Sequence, residues 1–343
     1  MTDIDRRLAL IKRNLQELIG EEELMALLKS SKTPSVYLGT AITGRPHIGY
    51  FVWVVKMLDL LKAGFKVKIL LADVHGALDN TPWQLLEKRY QYYEKVITGM
   101  FESLGADMKK IEFVKGSSFQ LQDKYILDLL KLATQVTVHD ATKAASEVVK
   151  LGDSPKLAGI IYPLMQALDE EYLKVDAQYG GIDQRKILVF ARENLPKLGY
   201  NARIEIMTPL IPGLQGPGAK MSASVKHSKI DLIDDSVAVK DKLDKAYCPE
   251  GVVEGNGVLA FTNYVLMAIH ELAGTTLGIK RPAKFGGDVS YRTYAELEND
   301  FAAKKLHPMD LKQAVANEVN ALLEPIRKKM AAHAKLIQEA YPE

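Results

Sequence analysis

Val36-Tyr37-Leu38-Gly39-Thr40-Ala41-Ile42-Thr43-Gly44-Arg45-Pro46-His47-Ile48-Gly49-Tyr50 is the stretch on which the fold turns. Val36-Tyr37-Leu38 reads as a short strand that runs into a segment broken by glycine and proline. A helical stretch follows from about His47 to Lys62, and Val67 to Ala72 reads as a buried strand ending at Asp73 and His75. Strand, crossover helix and strand in this order mark a parallel sheet. In such sheets ligands sit at the carboxyl ends of the strands. A helix N-terminus gives a phosphate both amide donors and a partial positive charge. Gly44 and Gly49 allow a close backbone approach that a Cβ would block. His47 can donate hydrogen bonds to phosphate oxygens; read alone, it is a cap on a turn entering a helix.

Outward from this unit, Leu8, Ile11, Leu15, Leu18 and Ile19 keep helical spacing and predict an amphipathic N-terminal helix. Residues 82–104 predict a long helix and Ile111 to Val114 a strand. Helices then dominate to about residue 173. Leu173 to Ala177 and Ile204 to Met207 read as further strands around a helix from Gln184 to Leu198. After Asp231 no strand run is evident, only helical patterns broken near Pro249, Gly274 and Gly286. The predicted boundary is near residue 233, with an α/β domain over 1–233 and an all-helical domain over 234–343.

A chain of 343 residues exceeds one comfortable core, which agrees with two domains. Its 47% hydrophobic and 26% charged residues are those of an ordinary globular protein. No apolar window is long enough for a membrane span. The start, Met1 to Arg7, has early acids and no long apolar run, unlike a secretory signal; Asp3, Asp5 and Glu17 argue against a transit peptide. The single cysteine, Cys248, permits no internal disulfide and fits a reducing compartment such as the cytoplasm. No motif surrounds it, so it reads as a buried thiol. With a net charge of +2, any nucleic acid would meet a local patch, not a bulk basic field.

Two further segments carry chemistry. Gly213-Leu214-Gln215-Gly216-Pro217-Gly218-Ala219-Lys220-Met221-Ser222 approaches the phosphate-cradling pattern G-x-x-x-x-G-K-[ST] but fails its register, because Ala219 displaces the lysine. A mobile loop that brings Lys220 to a phosphate as charge develops fits better. Tyr162, Gln166 and Asp169 fall at i, i+4 and i+7 on one face of an otherwise apolar helix. A polar row there lines a pocket more readily than it meets solvent. Gly180-Gly181-Ile182-Asp183-Gln184-Arg185 marks a strand-to-helix junction.

Pro46-His47-Ile48-Gly49-Tyr50 and Lys220-Met221-Ser222-Ala223-Ser224 together resemble the two ATP-binding signatures of class I aminoacyl-tRNA synthetases. With Tyr37 to Ala41, Ala72 to His75, Tyr162 to Tyr172, Val175 to Gln178, Gly180 to Lys186 and Lys229 to Leu232, nearly the whole chain resembles the tyrosyl-tRNA synthetases of the archaeal and eukaryotic-cytoplasmic type. The resemblance implies a Rossmann-like catalytic domain and a helical anticodon-binding domain. It also implies condensation of L-tyrosine with ATP to tyrosyl-adenylate and pyrophosphate, then transfer of tyrosine to tRNA(Tyr).

By the same resemblance, Tyr37 and Asp169 hold the phenolic hydroxyl, Tyr162, Gln166 and Gln184 hold the α-amino group, and Gly39 and His75 complete the tyrosine site. Asp183 holds the ATP ribose, and His47 and Lys220 with Met221, Ser222 and Ser224 serve the phosphates. Thr40, Gly44, Gly49, Tyr50 and Gly181 shape the ATP site. Mg²⁺ accompanies ATP with no protein ligand set. The resemblance further implies a homodimer, with an insertion around 115–160 as the contact surface. Phe285, in Lys280-Arg281-Pro282-Ala283-Lys284-Phe285, stands where relatives stack an aromatic on an anticodon base.

Two departures stand out: Tyr50 replaces the second histidine of many class I enzymes, and Ser224 replaces a second lysine, a pattern the related branch shares. The rival readings are a tryptophanyl-tRNA synthetase, which Asp169 with Tyr37 disfavours, and a non-catalytic RNA-binding relative, which has no need of an ATP site.

Overall fold

The computed structural model describes residues 2–149, 151–218 and 229–342. Six strands form the central sheet: β1 (Glu17–Ile19), β2 (Ser35–Ala41), β3 (Lys66–Ala72), β4 (Ile111–Lys115), β5 (Ala177–Gly181) and β6 (Ile204–Thr208). Their order is β1-β6-β5-β2-β3-β4. All neighbours are parallel except β1, which runs antiparallel to β6. The chain builds outward from β2 to β3 and β4, then returns to lay β5 on the other side of β2. The strand order therefore reverses between β2 and β5, the switch point at which open α/β sheets bind ligands.

The helix Phe51–Lys62 forms because its residues are almost all apolar, and it buries Phe51, Val54, Val55 and Met57 against the sheet. Its one deeply buried cation, Lys56, donates to the carbonyls of Leu10 (3.0 Å), Ile11 (2.9 Å) and Arg13 (2.6 Å). A cation there satisfies carbonyls left over at the end of the Asp3–Lys12 helix. Pairing with Asp59 also holds the charge in place.

Three expectations are corrected. The N-terminal helix stops at Lys12, and Leu18 and Ile19 pair with β6 instead. Asn14 adopts a positive φ of 56°, which ends the helical path despite the continuing apolar spacing. Leu173 and Val175 belong to no strand: the Leu157–Tyr172 helix runs up to them, Lys174 turns at φ 53°, and β5 begins only at Ala177. The region after Asp231 is helical except for a short hairpin, β7 (Leu277–Ile279) with β8 (Val289–Tyr291). Three residues per strand leave too little alternation to read.

The helix Pro308–Ala331 lies against Leu86–Ser103 at Gly99, where a Cβ would meet Ile326 Cγ1 at 3.3 Å. The core is thus continuous from the sheet into the later helices. Among the described residues, no helix is long and apolar enough to cross a membrane.

Candidate active site

Alternation along β2 builds two cavities. Tyr37 and Gly39 face one side and line a cavity of about 270 Å³ with Leu70, His75, Tyr162, Gln166, Asp169 and Gln184. Leu38 faces the other side and lines a second cavity of about 270 Å³ with His47, Gly49, Trp53, Gly181, Asp183 and Thr208. Both open at the carboxyl edge of the sheet, beside the switch point. Gly39 leaves the first cavity open: a Cβ would meet Tyr37 and Leu70 only at ordinary contact distances of 3.6 and 3.7 Å.

The floor of the first cavity is polar and fully buried. Asp169 is 0% exposed, and its Oδ1 accepts from Gln120 Nε2 at 2.8 Å and Tyr125 Oη at 2.9 Å. Its Oδ2 has no hydrogen-bond partner, and neither does His75 Nε2, 3.9 Å away. His75 is fixed from behind by Gln120 Nε2 at 3.2 Å from its Nδ1, and by an edge-on contact with the Tyr162 ring. Tyr37 Oη donates to Gln166 O at 3.3 Å. An unpartnered buried polar group costs about 1–3 kcal/mol, so converging orphans mark a place built for a polar ligand.

Burial sets the protonation here. It pushes the Asp169 carboxyl up to about 8, with the donors Gln120 and Tyr125 opposing. It holds the His75 imidazole down at about 4 and keeps the Tyr37 and Tyr162 phenols protonated. The floor can therefore exchange one proton-mediated bond with a hydroxyl without importing net charge.

The Leu157–Tyr172 helix aligns Tyr162, Gln166 and Asp169 on its cavity side, one turn apart. Gln166 Nε2 donates to Gln184 Oε1 at 3.1 Å across the mouth. The glycines before Gln184 sit in close quarters with its side chain and that of Asp183. A Cβ on Gly180 would lie 3.0 Å from Gln184 Cβ, and one on Gly181 would lie 2.6 Å from Asp183 Oδ1.

In the second cavity His47 caps the short helical turn Ile48–Tyr50, its Nδ1 accepting from Gly49 N–H at 3.2 Å. Burial, with a smaller push from Lys229, holds this ring at about 4, so it is neutral near pH 7. With Nδ1 accepting, the ring proton sits on Nε2, which is then a donor. His47 also pairs with Asp231 as an isolated antiparallel bridge, and Ile48 N–H donates to Ile230 O at 3.0 Å. The chain leaving the second signature thus returns beside the first.

The other expected residues divide. Thr40 and Tyr50 line the first cavity at its mouth, not the second, while Gly44 lines neither. Lys220, Met221, Ser222 and Ser224 lie outside the described residues. Phe285 stands 60% exposed far along the chain, with Lys284 Nζ 4.9 Å above its ring. Sequence reasoning missed Gln120 and Tyr125, which orient Asp169. Both come from the 115–160 segment, and only Gly116 hints at it, where a Cβ would collide with Gln120 Oε1 at 2.5 Å.

A switch-point sheet, a capped helix start facing one cavity and a buried polar floor in the other define a Rossmann-like protein of the class I synthetase fold. A family model described as tRNA synthetases class I (W and Y) matches residues 29–324, and the chain belongs to that family. It is similar to the cytoplasmic tyrosine–tRNA ligase of Danio rerio, 52% identical over 99% of this chain and 64% of that protein. It is also similar to the tyrosine–tRNA ligase of Haloarcula marismortui, 43% identical over 99% of this chain and 98% of that one. The solved tyrosyl-tRNA synthetase of Archaeoglobus fulgidus complexed with L-tyrosine has a TM-score of 0.88 at 42% identity, over 95% of this chain and 99% of that chain. The chain spans just under two thirds of the Danio rerio relative's length.

Proposed function

We propose that this protein is a tyrosine–tRNA ligase, which activates L-tyrosine with ATP and transfers it to the 3′ end of tRNA(Tyr). The observation that carries this reading is the buried floor of Asp169 Oδ2 and His75 Nε2, both without partners at the end of the first cavity. A phenolic hydroxyl satisfies them; phenylalanine leaves them orphaned, and tryptophan offers an N–H of different reach. Tyrosine and tRNA as substrates also agree with the named relatives.

In this reading Tyr37 and Asp169 hold the phenol, and Tyr162, Gln166 and Gln184 hold the α-amino group. The carboxylate then faces the second cavity. There Asp183 holds the ribose, and the His47 Nε2–H meets a phosphate oxygen. A carboxylate oxygen attacks the α-phosphorus in line, a P–O bond forms, and the bond to pyrophosphate breaks. Positioning does the work, with no covalent nucleophile. Lys220, with Ser222 and Ser224, adds charge as pyrophosphate develops. In the second step a terminal ribose hydroxyl attacks the adenylate carbonyl and AMP leaves.

Among the described residues, no group of three or more His, Cys, Asp or Glu converges to hold a metal ion. Mg²⁺ would ride on the nucleotide phosphates and neutralise their charge. Exposed Leu121, Leu127, Leu130 and Val138 support the 115–160 segment as a homodimer contact. Exposed Phe285 beside Lys284 suits an anticodon base, within a helical region beginning near residue 234. The name of the Danio rerio relative, a cytoplasmic ligase, supports a cytoplasmic setting. ATP–pyrophosphate exchange tests the reading: exchange with tyrosine supports it, and exchange with tryptophan alone, or RNA binding without exchange, refutes it.

A further inference from the structure

Three consecutive carbonyls of the turn before His47 are each captured by a side chain from elsewhere. Arg89 Nη1 donates to Thr43 O, and Lys229 Nζ donates to Arg45 O at 2.8 Å. Gly44 O accepts two phenols, Tyr93 at 2.5 Å and Tyr341 at 3.1 Å. A carbonyl oxygen has two lone pairs, so that acceptor is fully used. Because each peptide unit is planar, fixing these oxygens fixes the amide planes that lead into His47.

Tyr341 lies 297 residues from Gly44, the longest reach among these captures. Its position is over-determined. The Tyr92 ring meets it edge-on at 5.2 Å, the Arg89 guanidinium stands 4.8 Å above it, and the Arg45 guanidinium stands 5.4 Å from it. Arg89 Nε also donates to Ala340 O at 3.1 Å. One arginine thus grips both the turn and the segment that carries Tyr341. From Gly44 the link continues to the site: Tyr93 Oη lies 3.5 Å from Tyr50 Oη, and the Tyr50 ring meets the His47 ring at 5.3 Å.

We propose that Tyr341 is a positioning residue for the nucleotide half of the reaction, holding the 43–47 turn so that His47 faces the phosphates. This rests on the reading of the cavity beside His47 as the ATP site. Tyr341 touches no reacting atom and acts through Gly44 O. It also links the Ala334–Ala340 helix to the turn that leads into His47.

The test compares Tyr341→Phe and Tyr341→Ala with the unaltered full chain. The phenylalanine variant keeps the ring contacts and loses only the hydrogen bond. ATP affinity is titrated directly, KM for ATP and for tyrosine is taken from exchange, and amide hydrogen exchange is followed over residues 43–50. Tyr341→Phe should weaken ATP by about 3- to 10-fold, as expected for one lost hydrogen bond, with KM for tyrosine unchanged and faster amide exchange at 43–50. Tyr341→Ala should do more in the same direction. Unchanged ATP affinity and unchanged amide exchange in both variants would overturn the proposal, as would an equal rise in both KM values. Should the unaltered protein activate another amino acid, the functional reading fails, while ATP titration and amide exchange still decide the role of Tyr341.

Discussion

Tyr125 donates its hydroxyl to Asp169 Oδ1 at 2.9 Å, and so turns the other oxygen of that buried carboxyl, Oδ2, toward the cavity. The carboxyl proposed to hold the phenol is aimed by a residue that does not line the cavity. Met165 O, one helical turn before Asp169, lies 2.8 Å from the same hydroxyl and shares its single proton. Tyr125→Phe should therefore cost about 1 kcal/mol of stability and reduce the preference for tyrosine over phenylalanine by roughly 3- to 10-fold. Exchange kinetics with both amino acids, beside thermal unfolding, check this; an unchanged preference would mean that Asp169 needs no aiming.

Gly39→Ala separates binding from folding. The added methyl has ordinary contacts within the protein, and Gly39 sits in an extended strand with no positive φ. The unfolding midpoint should hold or rise slightly, since alanine restricts the unfolded chain. The methyl intrudes on the cavity proposed for tyrosine, so KM for tyrosine should rise about tenfold, the order of a 1–3 kcal/mol overpacking cost, with KM for ATP unchanged. A large drop in the midpoint would show that the glycine serves the fold instead.

The first strand, turn and helix were legible because period-two and helical spacing meet glycines and a proline at the turn. The row Tyr162, Gln166 and Asp169 was legible because one helix carries it. Gln120 and Tyr125 were not, since they reach Asp169 by packing between segments about 45 residues apart. The apolar alternation Leu173, Val175 and Ala177 imitates a strand that the positive φ of Lys174 forbids. Three-residue strands such as β1, β7 and β8 give no period at all.

Glu170 and Glu205 are both 0% exposed, and none of their four carboxyl oxygens has a hydrogen-bond partner. Burial raises both pKa values, Glu205 is raised further by Glu170, and Arg192 and Arg203 oppose. A raised carboxyl holds protons in the native state that the unfolded chain has released. Stability is thus full below the ordinary carboxylate range, about 4.3, and falls as pH rises toward the raised native values. Glu205→Gln should flatten that fall, so its advantage in unfolding midpoint should widen from pH 5 to pH 8. An advantage that shrinks with pH would refute the sign.

Lys220→Ala should slow adenylate formation far more than it weakens tyrosine binding, because its charge is needed as pyrophosphate departs. Single-turnover formation of adenylate, beside tyrosine titration, separates the two; a pure loss of tyrosine affinity would contradict the role.

The most direct measurement is the ratio of kcat/KM for tyrosine over phenylalanine in ATP–pyrophosphate exchange, taken for the unaltered protein and for Asp169→Asn. With Oδ1 still accepting from Gln120 and Tyr125, the asparagine presents an amide that can only donate, whereas the carboxyl Oδ2 can also accept the phenol's proton. The ratio should fall about tenfold or more, almost wholly through tyrosine. Equal losses for both amino acids, leaving the ratio unchanged, would contradict it.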